Sequence, residues 1–395
     1  MSDEPRQVVP VVEPWRVWLQ RGTDALRAAD YAAAADAFAQ AFAFAPDQPE
    51  VLLALGRERL RSRADADAEP LLRRALLLDP RSAAAAAALA RLLGLHLDRR
   101  QEAFALLHGA LRQNPDARAL HAVRGELLLQ DNAYGEARAA FAQALVADVW
   151  QVDGLPGEDE AARGGMARTY NAEGIALHQQ THWRAAAQAL RRAVELDRAW
   201  SAPRVNLGAA LAQLGRLDEA VEAYRAALQA EPDHPVALFN LATAQHDTGR
   251  PAEAQRAVER LIEVCPDFPR ARLLLADVAI TLGDYDRAIA VLLAQLDQDG
   301  SVVPVWASLG LAYVCSGSVE RGEECLRRAL ALNPRHFNAH YNLALLCATQ
   351  QRDEEARSLL RRARELDPER ATRALARLPR SASLRQLAAV PRGLD

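Results

Sequence analysis

Histidine pairs are the feature of this chain whose residue type and spacing come nearest to supporting chemistry. His178 and His182 lie four residues apart, as do His336 and His340, and two ligands at that spacing can share one helix face and bind a metal ion. His336, however, falls in a predicted turn, and His340 falls at a position predicted to pack against another helix. We therefore interpret these histidines as packing or surface residues, and we expect no metal site.

Motifs of catalysis are also missing from the sequence. It contains no glycine-rich dinucleotide fingerprint, Walker loop, HExxH or GxSxG motif. The four cysteines lack CxxC spacing, and a disulfide framework is not expected in so long a chain. We expect a protein that is not an enzyme, needs no cofactor and resides in the reducing cytoplasm.

The charge balance excludes further classes of partner. The net charge is -4, and all 48 basic residues are arginine, which is typical of a GC-rich bacterial genome. Such a balance gives no bulk attraction to nucleic acid or to an anionic membrane. The amino-terminal residues lack a basic segment before an apolar run, and no stretch approaches the ~18 apolar residues that cross a bilayer. We expect neither nucleic-acid binding nor membrane insertion.

The elements that must position any functional residue come from an internal repeat of 34 residues. Positions 8 and 20 are always Gly or Ala, as in Gly208 and Ala220, and position 24 is a large apolar residue such as Tyr224. Small residues on two facing helices allow close packing. The third repeat carries one extra residue, which we place around 97–101. The ten repeats are 15–48, 49–82, 83–117, 118–151, 167–200, 201–234, 235–268, 269–302, 303–336 and 337–370.

These residues resemble the tetratricopeptide repeat family. The segments AWSAPRVNLGAALAQLGRLDEAVEAYRAALQAEPD and VPVWASLGLAYVCSGSVERGEECLRRALALNP carry its pattern of Leu-Gly, Ala and terminal Pro most clearly. The pattern is incomplete at Val149, Arg198 and Gly300, which stand where the terminal Pro is usual, and at Pro251, which replaces an aromatic residue. The resemblance implies an all-α fold, a tetratricopeptide-type α-solenoid in which helix-turn-helix repeats form a right-handed superhelix.

The break in the repeat sets the expected domain organisation. Residues 1–14 are an irregular lead-in, 15–151 hold repeats 1–4, and 167–370 hold repeats 5–10. Between them, 152–166 contain glycines on both sides of an acidic run, which predicts either a hinge or a surface loop followed by a helix lengthened from Glu158. Residues 371–379 are expected to form a capping helix, and 380–395 a flexible tail.

The resemblance implies that positions 2, 5, 6, 9, 12 and 13 of each first helix face a concave groove. The candidates there are arginines near the amino end, amides in the middle, and apolar residues beside them: Arg27, Arg57, Arg61, Arg91, Asn171, Gln179, Asn206, Gln213, Asn240, Asn342, Phe239 and Tyr341. A row of amides can pair with both groups of an extended peptide backbone, or can be only the family consensus. The arginines can grip carboxylates, or form a solvated face with Glu50, Glu58 and Asp65.

We therefore expect a protein-protein interaction scaffold or adaptor that binds a partner protein, or an extended peptide segment of one, in the concave groove. Two alternatives remain open. One is a self-assembling structural scaffold of a multiprotein machine. The other is a non-catalytic regulatory subunit of a separate enzyme, for example a transferase.

Overall fold

The computed structural model describes residues 13–146 and 158–377, and every regular element in those ranges is a helix. The predicted all-α solenoid of helix pairs is confirmed. The chain divides into two compact units, unit 1 up to Arg198 and unit 2 from Ala199. The helices of repeats 1–5 belong to unit 1, and those of repeats 6–10 belong to unit 2.

Unit 1 consists of five helix pairs, in which the two helices of each repeat are joined by a short turn and pack against one another. Its helices are α1 (Pro14–Arg27), α2 (Tyr31–Phe44), α3 (Pro49–Arg61), α4 (Asp65–Leu78), α5 (Ala83–Arg91), α6 (Arg100–Gln113), α7 (Arg118–Gln130), α8 (Tyr134–Val146), α9 (Glu158–Gln179) and α10 (Trp183–Leu196).

Unit 2 repeats this arrangement and ends on one additional helix. The first helices of successive repeats pack side by side, as α13 does with α15 and α17 with α19. The helices are α11 (Ala202–Gln213), α12 (Leu217–Ala230), α13 (Pro235–Asp247), α14 (Pro251–Val264), α15 (Ala271–Leu282), α16 (Tyr285–Gln298), α17 (Val303–Cys315), α18 (Val319–Leu332), α19 (Phe337–Thr349), α20 (Asp353–Leu366) and α21 (Pro368–Arg377).

Position 8 of the first helix packs directly on position 24 of the second helix. A Cβ atom added to Gly208 would lie 2.7 Å from Cζ and 2.8 Å from Cδ1 of Tyr224, well inside van der Waals contact. Aromatic residues stand at position 24 only where position 8 is glycine: Gly22 with Phe38, Gly125 with Phe141, and Gly208 with Tyr224. Where position 8 is alanine, position 24 is leucine or valine: Ala90 with Leu107, Ala242 with Val258, Ala276 with Leu292, and Ala344 with Leu360. An aromatic ring at position 24 therefore occurs only opposite glycine, whereas leucine stands opposite either alanine or glycine, as in Gly56 with Leu72.

The extra residue of the third repeat is accommodated within its first helix. A π-helical turn covers Leu92–His96, directly after α5, so the insertion lies upstream of residues 97–101, where it was predicted from the sequence. A π-turn adds one residue without breaking the helix. The wider turn brings His96 Nδ1 to 2.8 Å from Asp65 Oδ1 of the preceding repeat.

The turn inside each repeat places one residue in the left-handed region, and that residue is position 15 in nine of the ten repeats. Four repeats use glycine there, including Gly215 at φ 74°, whereas Thr181 occupies the same place at φ 63°. A β-branched residue is strained in this region, whereas glycine is not. The six residues other than glycine in these turns are Ala29, Arg63, Asp98, Asn132, Thr181 and Gln351.

Ion pairs join position 25 of one repeat to position 19 of the next. Arg225 Nη2 lies 2.6 Å from Glu253 Oε2, and in the next joint the signs are exchanged, with Glu259 Oε1 2.5 Å from Arg287 Nη2. The same pairing joins Arg73 with Glu102 and Arg327 with Glu355. Because these side chains are about half exposed, each pair contributes little, about 0.2–1 kcal/mol.

Helix α9 begins at Glu158 and is longer than the other first helices, with 22 residues. Its first turns pack on repeat 4. Ala162 of α9 is buried there, and Gly165 of α9 lies against the ring of Phe141. Residues 158–166 of the predicted hinge or loop are therefore helical. Residues 1–12, 147–157 and 378–395, with most of the predicted lead-in and all of the tail, lie outside the described residues.

Candidate binding groove

A groove in unit 2 is the candidate functional site. It is lined by first helices only, namely α13, α15, α17 and α19, together with the last helix α21, and it encloses about 510 Å³. The lining positions within the repeats include 2, 5, 6, 9 and 12, so the 34-residue period itself aligns these side chains on one surface. We call this surface the unit-2 groove.

Apolar side chains form part of the groove wall. Ile280 and Leu311 line it from α15 and α17, and Phe337 and Tyr341 line it from α19. The rings of Phe337 and Tyr341 are stacked, with centroids 6.0 Å apart and an interplanar angle of 7°. These rings offer a rigid apolar surface that loses little entropy when a ligand binds.

At the α21 end, the wall carries a fixed positive charge. The Arg370 guanidinium stacks over the Phe337 ring at 4.6 Å, and its Nη2 donates a hydrogen bond to Asn338 Oδ1 at 2.8 Å. Arg373, one turn further along α21, also lines the groove. Because Arg370 is held from two sides, it is positioned before any ligand arrives.

Asp277 supplies a half-buried carboxyl group to the groove. Ser308 Oγ donates a hydrogen bond to its Oδ1 at 2.9 Å. Thr281 Oγ1 donates to the backbone carbonyl of Asp277 at 3.0 Å and lies 2.8 Å from His246 Nε2. Since the single hydroxyl proton of Thr281 goes to the carbonyl, His246 Nε2 is the donor in the second contact. Burial raises the pKa of Asp277, and the Ser308 hydrogen bond and the charges of His246 and Arg270 offset only part of that effect.

The repeats match known family models over much of the chain. Models described as tetratricopeptide repeat match residues 95–150, 171–235 and 308–371, residues 211–264, and residues 269–294. The chain belongs to the tetratricopeptide repeat family. Proteins of this family are generally non-catalytic scaffolds for protein interaction.

Solved structures similar to this tetratricopeptide repeat protein share little sequence with it. The APC/C hetero-tetramer Cut9–Hcn1 has 14% identity and a TM-score of 0.45, with 95% of this chain and 96% of that chain covered. A tetratricopeptide repeat protein from Parabacteroides merdae has 14% identity and a TM-score of 0.46, with 68% of this chain and 96% of that chain covered. Pseudomonas aeruginosa pilF has 18% identity and a TM-score of 0.44, with 58% of this chain and 97% of that chain covered. The sequence has no significant match among curated proteins.

Some of the residues predicted in unit 2 line the unit-2 groove, and others lie outside it. Tyr341 and Asn342 line the groove. Phe239 instead packs on Phe268, with ring centroids 5.3 Å apart. Three further unit 2 candidates do not line this groove: Asn206, Gln213 and Asn240. Their role in binding stays a prediction.

In unit 1, several predicted arginines already contact carboxylates of the same chain. Arg91 Nε and Nη2 both lie 2.9 Å from the two carboxylate oxygens of Glu126, a bidentate pair between adjacent first helices. Arg61 lies 3.6 Å from Glu58 and stacks over the ring of Tyr31 at 4.1 Å.

The remaining unit 1 candidates differ in exposure. Arg27 pairs with Asp24 at 2.9 Å in an exposed position. Asn171 is buried, Gln179 is exposed, and Arg57 is half-buried. The binding role of these unit 1 residues stays a prediction.

The charged residues of the unit-2 groove were not among those predicted from the sequence. Asp277 and Ser308 stand at positions 9 and 6 of their repeats, which belong to the groove register, but neither is an amide or an arginine. Applying the register to every repeat, without regard to residue type, would have found both. Arg370 is the last residue of the tenth repeat and Arg373 follows it, so neither stands at a groove position of a first helix.

The histidine pair at 336 and 340 has structural roles. His336 caps α19, with Nδ1 accepting a hydrogen bond from the Ala339 amide at 3.3 Å, and His340 Nε2 donates to the Pro334 carbonyl at 2.8 Å. In residues 13–146 and 158–377, no three His, Cys, Asp or Glu side chains gather closely enough to hold a metal ion. Within the same ranges, no helix is both long and apolar enough to cross a membrane. The cytoplasmic location stays a prediction.

Proposed function

We propose that this protein is a scaffold or adaptor that binds an extended segment of a partner protein in the unit-2 groove. One observation carries the proposal: four successive repeats and α21 line a single open cavity with both polar and apolar groups. Because the groove positions recur every 34 residues, neighbouring helices offer a series of equivalent contacts. An elongated ligand uses such a series better than a compact one.

The chemistry of the wall suits a polypeptide. The amides of Asn338 and Asn342 can both donate to and accept from a peptide backbone. The stacked rings of Phe337 and Tyr341, together with Leu311, provide the apolar contacts that select side chains of the bound segment. Since the helices hold these groups in place beforehand, the ordering cost of binding falls mainly on the ligand.

Selection from a random peptide library tests the proposal directly. We expect the wild-type chain to enrich a set of binding peptides. Leu311→Arg places a long cationic side chain in the groove, and we expect this variant not to bind those peptides. Leu332→Arg is the matched control, because Leu332 is an exposed leucine outside the groove. Asn342→Ala should lower the affinity for the selected peptides about fivefold, which is the effect of losing one hydrogen bond. Equal retention of peptides by Leu311→Arg would contradict the proposal.

A further inference from the structure

The Asp277 carboxyl group is only partly satisfied by the protein. Oδ1 accepts the hydrogen bond from Ser308, whereas Oδ2 has no hydrogen-bond partner among the described residues. The neighbouring hydroxyl of Thr281 cannot serve it, because its proton goes to the backbone carbonyl of Asp277. A carboxylate oxygen that lines an open groove is therefore left as a free acceptor.

An incompletely paired carboxylate in this place has a physical cost. Its burial disfavours the ionised form, which is why the pKa of Asp277 is raised. An ionised carboxylate can only accept hydrogen bonds, so the group that completes it must be a donor. A cationic donor does so best, because charge-assisted hydrogen bonds are about twice as strong as neutral ones and gain further at low dielectric.

We propose that Asp277 is the point at which the unit-2 groove recognises a basic side chain, an arginine or a lysine, of the bound partner segment. The inference rests on the proposed function and names the chemistry of its ligand. The guanidinium or ammonium group donates to Asp277 Oδ2, while the segment runs along the first helices. Ser308 keeps the carboxyl group oriented by its hydrogen bond to Oδ1.

The charges around the groove limit the ligand to a single cation at this place. His246 adjoins the site from α13, and Arg370 and Arg373 stand at the α21 end. The positive charges of Arg370 and Arg373 repel a second basic residue of the ligand on that side. We therefore expect segments that carry one basic residue over Asp277 and neutral or acidic residues toward α21.

The test uses the full chain and a random peptide library. Wild type, Asp277→Asn and Asp286→Asn are each used for selection; Asp286 is an exposed carboxylate of the same repeat, outside the groove, and serves as the control. The wild type and Asp286→Asn are expected to enrich a basic residue at one fixed peptide position, and Asp277→Asn is not. Circular dichroism melts establish that the variants are folded.

Titration of an enriched peptide sharpens the result. Fluorescence anisotropy compares the synthetic peptide with its citrulline analogue, in which the arginine is replaced by a neutral side chain of nearly the same shape. For the arginine peptide, Asp277→Asn should weaken binding about tenfold or more. The citrulline peptide should bind wild type and Asp277→Asn equally well.

Two results would overturn the assignment. If the groove selects peptides without a basic residue, or if Asp277→Asn retains full affinity for the arginine peptide, Asp277 does not recognise a cation, and the scaffold function stands. If no peptide depends on the groove as judged with Leu311→Arg, both the scaffold proposal and the role of Asp277 fail. The two failures are thus distinguishable.

Discussion

Because the residues at positions 8 and 24 pack directly on each other, the cost of enlarging position 8 can be predicted for the repeat that contains Gly208 and Tyr224. In Gly208→Ala, the new Cβ would stand 2.7 Å from Cζ and 2.8 Å from Cδ1 of Tyr224. Relaxed carbon contacts are about 3.5–4.0 Å, so the ring must move by about 1 Å. Tyr224 is only 2% exposed, and overpacking of such a core costs about 1–3 kcal/mol.

A double-mutant cycle isolates this effect. Tyr224→Leu alone leaves a cavity and costs about 1–3 kcal/mol. The double variant Gly208→Ala, Tyr224→Leu reproduces the Ala–Leu combination that the chain already uses at Ala276 with Leu292. Its free energy of unfolding should therefore be no lower than that of Tyr224→Leu alone, which gives a coupling energy of about 1–3 kcal/mol.

Urea unfolding followed by circular dichroism measures the four proteins of the cycle. Gly109→Ala is the control for helix propensity, because a Cβ at Gly109 meets nothing within 4 Å, and it should stabilise the protein by about 0.5–1 kcal/mol. The packing account is refuted if Gly208→Ala behaves like Gly109→Ala. It is also refuted if the effects of the two single changes add in the double variant.

Three further predictions concern turns, ion pairs and pH. Thr181→Gly should raise the free energy of unfolding by about 0.5–1 kcal/mol and Gly215→Thr should lower it by about 1–2 kcal/mol, since both residues have positive φ; equal signs in chemical denaturation would contradict this. The exchange Arg225→Glu with Glu253→Arg should recover part of the stability lost in either single variant, with a coupling of about 0.3–1 kcal/mol that high salt reduces; recovery is partial because Arg225 also pairs with Glu222. Burial raises the pKa of Asp277 above its unfolded value, so the native state binds the proton more tightly and loses stability as pH rises through this range. Asp277→Asn should therefore melt higher than wild type near pH 7, with the advantage shrinking toward about pH 4; a lower melting temperature at neutral pH would contradict the cost assigned to the carboxylate.

The sequence was sufficient to predict the fold, because packing of helix pairs leaves a periodic record. Small residues recur at positions 8 and 20 since no larger side chain fits where the two helices cross. The extra residue of the third repeat was assigned to the wrong place for a physical reason: an inserted residue can be taken up by a turn or by a π-helical turn inside a helix. The sequence around Leu92 does not distinguish the two.

Only part of the lining of the unit-2 groove was predicted from the sequence. Two of the predicted residues, Tyr341 and Asn342, line the unit-2 groove, but within the repeat positions the candidates were chosen by residue type. Asp277 escaped notice because an isolated aspartate in a helical sequence usually lies in solvent. Its burial, and its pairing with Ser308 of the next repeat, are properties of the packed helices and leave no local pattern in the sequence.

Site-specific photo-crosslinking shows whether the partner segment binds in the unit-2 groove. A photoreactive amino acid replaces Leu311 or Ala307 in the groove, or Leu332 outside it, and each protein is irradiated with a library-selected peptide. We expect peptide adducts at the two groove positions and none at Leu332. Adducts at Leu332 without adducts in the groove would contradict this expectation.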